Sequence, residues 1–166
     1  CEGCSDIKLQ PMRLGKDGSV SALAIYVENT VPNLILEESV LGRMFIDMAG
    51  KDPKEVYQAV EANSLGLSEA QPLQTREEGM NAMLAGNLLL LVEGYDKGLK
   101  IGSKGYPARS VDNTDTEKVL RGSNEGFTES VKTNTALIRK RIRSTDMKVE
   151  ELIAGVRSNT RLVLVY

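Results

Sequence analysis

The stretch Thr75–Gly94, TREEGMNAMLAGNLLLLVEG, sets the fold class. Thr75 followed three residues later by Glu78 is a capping box, in which each side chain satisfies a backbone N–H at the start of a helix. Met80, Met83 and Leu84 form the apolar face of that helix, and Gly86 supplies its stop. The run Leu88–Val92 follows at once, and a short uninterrupted apolar run after a glycine reads as a central strand covered on both faces. Gly94-Tyr95-Asp96-Lys97-Gly98 is a turn, and Leu99–Ile101 is the return strand. A helix feeding a buried strand and a hairpin is α/β chemistry.

Working outward toward the N-terminus, Asp52-Pro53 is a second helix start, N-cap then N1, with Val56, Tyr57 and Val60 at helical spacing to about Ala62. Leu65-Gly66-Leu67 to Pro72 reads as a connector. Before it, Pro32 and Asn33 open a helix over residues 34–48. Its apolar face is Leu34, Ile35, Leu41, Met44, Phe45 and Met48, and Gly50 ends it. Ala22–Val27 reads as a buried strand. Ile7 and Leu9 alternate as in a short strand, and Lys16-Asp17-Gly18 is a turn signal.

Toward the C-terminus the composition changes between residues 103 and 116, where Gly105, Pro107, Ser110, Asp112, Asn113 and Asp115 mark a linker. Glu117–Leu120 reads as a short strand. Residues 147–156 fit strand or helix and are taken as strand; Arg157-Ser158-Asn159 turns the chain, and Arg161–Tyr166 is the last strand. The expected architecture is therefore α/β in two small subdomains, each a short, mostly mixed β-sheet packed with helices. Residues 1–102 form the first, 103–116 the linker and 117–166 the second. Ala22–Tyr26 and Leu162–Tyr166 share one pattern, an apolar strand closed by tyrosine. A sequence that stops on such a strand suggests that the native protein continues.

Composition removes several function classes. The 166 residues are 41% apolar and 27% charged, ordinary for a globular chain, and the net charge of −2 argues against a nucleic-acid binder. No apolar run approaches the roughly 18 residues that span a bilayer. Histidine is absent, which removes the commonest general base and every Ser-His or Cys-His arrangement. The two cysteines, Cys1 and Cys4, form a C-x-x-C pair. Zinc needs four ligands, and no histidine or third cysteine exists to complete them. Glu77-Glu78 and Glu150-Glu151 are adjacent in sequence, so neither pair faces one reacting atom. No catalytic residue, cofactor or metal ligand is expected, and the chain is read as non-enzymatic.

Arg121–Arg143, RGSNEGFTESVKTNTALIRKRIR, combines turn chemistry at Ser123, Asn124 and Gly126 with a helix whose stripe is Val131, Leu137, Ile138 and Ile142. Thr128 and Glu129 stand at the end where the helix dipole favours acceptors; Arg139, Lys140, Arg141 and Arg143 crowd the end where it favours cations. Asn134 lies near the stripe, so its amide needs partners if buried. The combination Arg121-Gly122, Glu125-Gly126-Phe127, Glu129, Asn134, Leu137, Ile138-Arg139 and Arg141 resembles the soluble N-terminal domain of GerA-type spore germination proteins. That group comprises the nutrient-receptor A subunits and the SpoVAF-like branch. The likeness runs from about Ser21 to Tyr166 and includes Gly86–Gly94 and Arg109. Ser123 stands where many members have proline, and Asp112-Asn113 where they tend to have Glu-Pro, so the branch stays open.

The resemblance implies a non-enzymatic, soluble domain of a spore inner-membrane receptor subunit, placed here on the cytoplasmic side, with membrane helices downstream. It implies B-type and C-type subunits as partners, self-association, and a part in assembly and gating of an ion-conducting receptor during nutrient-triggered germination. Arg109, Arg121, Glu129, Asn134, Arg139 and Arg141 are the candidate interface or ligand residues. For the basic helix end two readings stand side by side, contact with anionic headgroups or a partner, and plain complementation of the helix dipole. For Glu129 and Asn134 the alternatives are structural hydrogen bonds or a germinant or ion site between the subdomains.

Overall fold

The computed structural model describes residues 3–28, 30, 42–62, 70–102 and 126–166. In chain order its elements are β1 (Ile7–Leu14), β2 (Val20–Val27), α1 (Gly42–Met48), α2 (Pro53–Glu61), β3 (Ala70–Leu73), α3 (Arg76–Leu84), β4 (Leu88–Val92), β5 (Gly98–Ile101), α4 (Val131–Arg141), β6 (Val149–Ala154) and β7 (Thr160–Val165). The first five strands make one sheet in the order β1-β2-β4-β5-β3, and β6 and β7 form a separate two-stranded sheet. The α/β expectation holds, with the mixture of strand directions narrowing to antiparallel pairings throughout the described strands.

The Thr75–Gly94 reading is realised in detail. Thr75 accepts from the Glu78 N–H at 3.1 Å, and the Glu78 carboxylate accepts from the backbone of Gln74 at 2.8 Å and of Thr75 at 3.4 Å. At the other end Gly86 takes a positive φ of 88°. It donates to Met83 O at 2.9 Å while Asn87 N–H reaches Ala82 O at 3.1 Å. These two bonds satisfy carbonyls that a helix end otherwise leaves orphaned. Buried Asn87 adds its own amide to Ala82 O at 2.8 Å.

Strand β4 is central, as expected, but covered unevenly. Leu88, Leu90 and Val92 are buried in a core with Met44 and Met48 of α1 and Val56 and Val60 of α2. On the opposite face Leu89 lies under α3, close to Gly79. Leu91 stays 39% exposed, because a nine-residue helix covers only part of that face.

Two elements differ from the sequence reading. Strand β1 is eight residues long rather than a short Ile7–Leu9 piece. Its polar residues and Pro11 hide it, and both are tolerated because β1 is an edge strand. The connector ending at Pro72 contains β3, the opposite edge strand, where proline is tolerated for the same reason. Of the helix expected over 34–48, α1 is the described part. Residues 34–41, the 103–116 linker and the Glu117–Leu120 strand lie outside the described residues.

The β4–β5 turn gives the first prediction. Gly94 has φ of 82°, and a Cβ there would stand 2.8 Å from the Tyr57 hydroxyl. Gly94→Ala therefore meets backbone strain and a clash together, and urea unfolding is expected to show a loss exceeding about 1 kcal/mol. A neutral substitution would mean that the turn relaxes away from α2.

Candidate functional site

The described residues of the signature segment form the expected helix, and one of its arginines, Arg139, turns inward. Ser130 caps α4, accepting from the Thr133 N–H at 3.3 Å. Ahead of the helix, Asn134 binds the segment that leads into it. Its Oδ1 accepts from Thr128 N–H at 2.7 Å, and its Nδ2 donates to Thr128 O at 2.7 Å. A side-chain amide has one acceptor and one donor group, and here they serve both backbone groups of Thr128. Asn134 is thus a structural brace.

Arg139 has no solvent exposure and is the largest fully buried side chain described. Its Nε and Nη2 donate to the two carboxylate oxygens of Asp6 at 2.8 and 3.0 Å, a bidentate pair between residues 133 apart in sequence. Its Nη1 donates to Met147 O at 3.0 Å and Ser144 O at 3.3 Å. Burial works against the charged guanidinium, yet the hydrogen bonds and charge of Asp6, helped by Cys4 Sγ at 3.8 Å from Nη2, outweigh it and hold the pKa above its ordinary value. This corrects the reading of Arg139 as part of an exposed basic helix end. Its guanidinium is spent inside the protein, where it cannot meet a headgroup or a partner subunit.

Around this pair the N-terminal segment is stitched to α4 and β6. Ser5 donates through its backbone N–H at 2.8 Å and its hydroxyl at 3.0 Å to Val149 O. Glu28, at the end of β2, accepts from Lys132 of α4 at 2.6 Å, with Lys8 of β1 at 3.5 Å. Burial alone would raise the Glu28 pKa, but hydrogen bonding and charge from Lys132 and Lys8 hold it below the usual carboxylate value. A cleft lies at this junction, with Ser5, Glu28, Lys132, Thr135, Glu151 and Arg161 among its walls. Its charges are matched in pairs, Glu28 with Lys132 and Glu151 with Arg161 at 2.6 Å. Its cavity volume of about 20 Å³ is little more than one water requires.

Of the other expected site residues, Glu129 and Arg141 are exposed at the two ends of α4, and Arg109 and Arg121 lie outside the described residues. Ile142, expected on the apolar stripe, is 51% exposed, and Phe127 ahead of the helix is 72% exposed. The residues that sequence reasoning missed are Asp6, Glu28 and Lys132. Nothing in a polar N-terminal stretch marks Asp6 as the partner of an arginine in the last helix. Among the described residues no group of His, Cys, Asp and Glu is arranged to hold a metal ion.

The sequence matches the family described as Bacillus/Clostridium GerA spore germination protein over residues 1–166. The chain belongs to the GerA family. It is 30% identical over 165 residues to the uncharacterised membrane protein YfkQ of Bacillus subtilis, covering 99% of this chain and 31% of that protein. Spore germination protein XA of Bacillus anthracis is 29% identical over 99% of the chain and 34% of its own length. Stage V sporulation protein AF of Bacillus subtilis is 37% identical over 116 residues, 70% of this chain and 23% of that protein. The chain thus spans about a third of the length of the relatives it matches most fully. The fold is similar to the crystal structure of the N-terminal domain of the A subunit of the Bacillus megaterium spore germinant receptor GerK3. That likeness has a TM-score of 0.67 at 21% identity and covers 98% of this chain and 58% of the other.

Arg139→Ala leaves Asp6 buried without its partner and is expected to cost about 3–5 kcal/mol of unfolding free energy. Arg141→Ala, at an exposed position, is expected to cost less than about 1 kcal/mol. Equal losses in the two variants would refute the buried lock.

Glu28 predicts a pH dependence. Its folded-state pKa is lowered, so its stabilisation is fully present above the unfolded carboxylate value, about 4.3, and is lost as pH falls through the lower folded value. The stability gap between the parent and Glu28→Gln is therefore expected to be widest near neutral pH and to close at acid pH. A gap that stays constant to pH 2 would contradict it.

Proposed function

We propose that this GerA-family chain is the soluble, non-enzymatic N-terminal portion of a germinant-receptor A subunit. In this reading it lies on the cytoplasmic side of the spore inner membrane. It acts in receptor assembly and in passing the germination signal between other subunits and the membrane-embedded part. Residues 1–102 and 117–166 serve as its two subdomains, joined through 103–116. The SpoVAF-like branch fits the same fold and is kept as a family alternative.

The observation that carries this reading is how the signature helix spends its residues. Arg139 and Lys132 of α4 both reach across to the N-terminal unit, to Asp6 and Glu28. Side chains that join two units transmit a displacement of one to the other. In this reading Glu129, just ahead of the helix, and Arg141, its last residue, both exposed, meet a neighbouring subunit, with Arg109 and Arg121 as further candidates. None of the described helices is long and apolar enough to cross a membrane.

A second reading, a germinant or ion module, rests on the cleft between Glu28, Lys132, Glu151 and Arg161. Its charges are already paired and its volume suits water, which favours the coupling role. A ligand that binds the folded chain must raise its melting temperature by mass action. Amino acids, sugars and inorganic ions are expected to leave the melting temperature of the parent chain unchanged. A saturable shift abolished by Lys132→Ala would establish the binding module instead.

The coupling reading is tested in spores. Arg141→Glu combined with Glu129→Lys, introduced into the full-length subunit, is expected to slow nutrient-triggered germination several-fold at normal protein level. Germination at the parental rate would remove both residues from the interface.

A further inference from the structure

The residues that carry the family likeness divide in the fold. Arg139 is bound to Asp6, and Asn134 to Thr128. Phe127 and Glu129 face the other way: Phe127 is 72% exposed, and Glu129 is exposed with it. A single exposed apolar side chain is normal and by itself means little. The setting of Phe127 is what gives it meaning.

The segment that presents these two residues is braced on both sides. Thr128, between them, donates its N–H at 2.7 Å and its hydroxyl at 3.2 Å to Asn134 Oδ1, and its carbonyl accepts from Asn134 Nδ2 at 2.7 Å. The Thr128 hydroxyl oxygen also accepts from the Ser130 N–H at 3.2 Å. Ser130 caps α4, and its carbonyl accepts from the Asn134 N–H at 3.0 Å. With Thr128 turned in to the helix and half-buried, its two neighbours are left outward. Cα atoms two positions apart stand at most about 7 Å from each other, so one side chain of a partner can reach both. Phenylalanine has two χ angles, and on a fixed backbone it loses little freedom when it is covered. Rigid aromatic anchors of this kind carry a large share of the binding energy at interfaces.

We propose that Phe127 and Glu129 seat an arginine side chain of a neighbouring subunit, and that Asn134 is the positioning residue that keeps the seat in shape. A carboxylate takes a guanidinium through two parallel N–H···O bonds, and an aromatic face attracts the same planar cation. Lysine, a compact point charge, does not match both geometries. An apolar partner segment would cover Glu129 and leave its carboxylate unpaired. Lys132, the nearby cation of α4, does not compete for the seat, because it is bound to Glu28 at 2.6 Å. The proposal rests on the subunit-contact reading of Glu129 given above, and adds to it an aromatic anchor, a positioning residue and the chemistry of the partner.

The test is made in spores that carry the full-length subunit. Phe127→Tyr keeps the aromatic face and is expected to germinate at the parental rate. Phe127→Leu keeps apolar bulk alone and is expected to be slower by about threefold or more at equal protein level. Both changes fall at an exposed position, so the melting temperature of the chain is expected to stay the same. Photo-cross-linking from Phe127→p-azidophenylalanine is expected to join the subunit to a second polypeptide at an arginine-containing peptide. A cross-link confined to the same polypeptide, or to a peptide without arginine, overturns the proposal, and so do equal rates for the tyrosine and leucine variants. Asn134→Ala is expected to speed amide exchange at Thr128 and to slow germination as Phe127→Leu does. If that variant does not fold, the two Phe127 variants decide alone. A silent charge reversal at Glu129 and Arg141 removes the subunit-contact reading and the seat with it. A reversal that slows germination, with Phe127→Tyr and Phe127→Leu behaving alike, removes the seat only.

Discussion

The buried pair between Asp6 and Arg139 is the constraint on which the arrangement of the chain depends. A charge of either sign is costly to bury alone, and a bidentate partner with further carbonyl acceptors is what makes Arg139 tolerable without solvent. Once Arg139 is placed, Met147 and Ser144 are held by the same guanidinium, and the chain after α4 is directed into β6. Asp6 immediately precedes β1, so the first strand of the large sheet and the last helix are fixed to each other. Polar groups thereby join the two sheets, and among the described residues neither apolar cluster includes a residue of α4, β6 or β7. The principal core draws on β1 to β5 with α1 and α2 and includes no residue of α4, β6 or β7.

Such a junction suits a coupling element. Apolar interfaces are insensitive to charge, whereas a polar seam with Glu28 between Lys8 and Lys132 responds to protons and to salt. The seam is also directional, since bidentate geometry tolerates little rotation.

Much of the fold was legible in the sequence where local chemistry decides it. The capping box of α3, the Asp52-Pro53 start of α2 and the glycine stop after α3 are short-range, and the apolar run of β4 marks it as a central strand. The edge strands were harder to read. Pro11 and Pro72 are breakers in most settings, and only their edge positions make them acceptable in β1 and β3. Burial of Leu91 was overestimated, because run length says nothing of how far the covering helix extends. The candidate site divided along the same line. Asn134 was marked as needing partners and has them within its own segment. Arg139 was placed with its basic neighbours because sequence shows charge and helix position, not the carboxylate 133 residues away that draws it inward. Long-range pairing of single charged residues leaves no periodic trace, which is why Asp6, Glu28 and Lys132 went unmarked.

The central claim is that Asp6 and Arg139 form one energetic unit joining the two ends of the chain. A double-mutant cycle on unfolding, with Asp6→Ala, Arg139→Ala and the double variant, measures it most directly. The account predicts a coupling of at least about 1.5 kcal/mol, with the double variant losing much less than the sum of the single losses. A coupling near zero, with additive losses, would show that the two charges are stabilised separately and that the junction does not depend on their pairing.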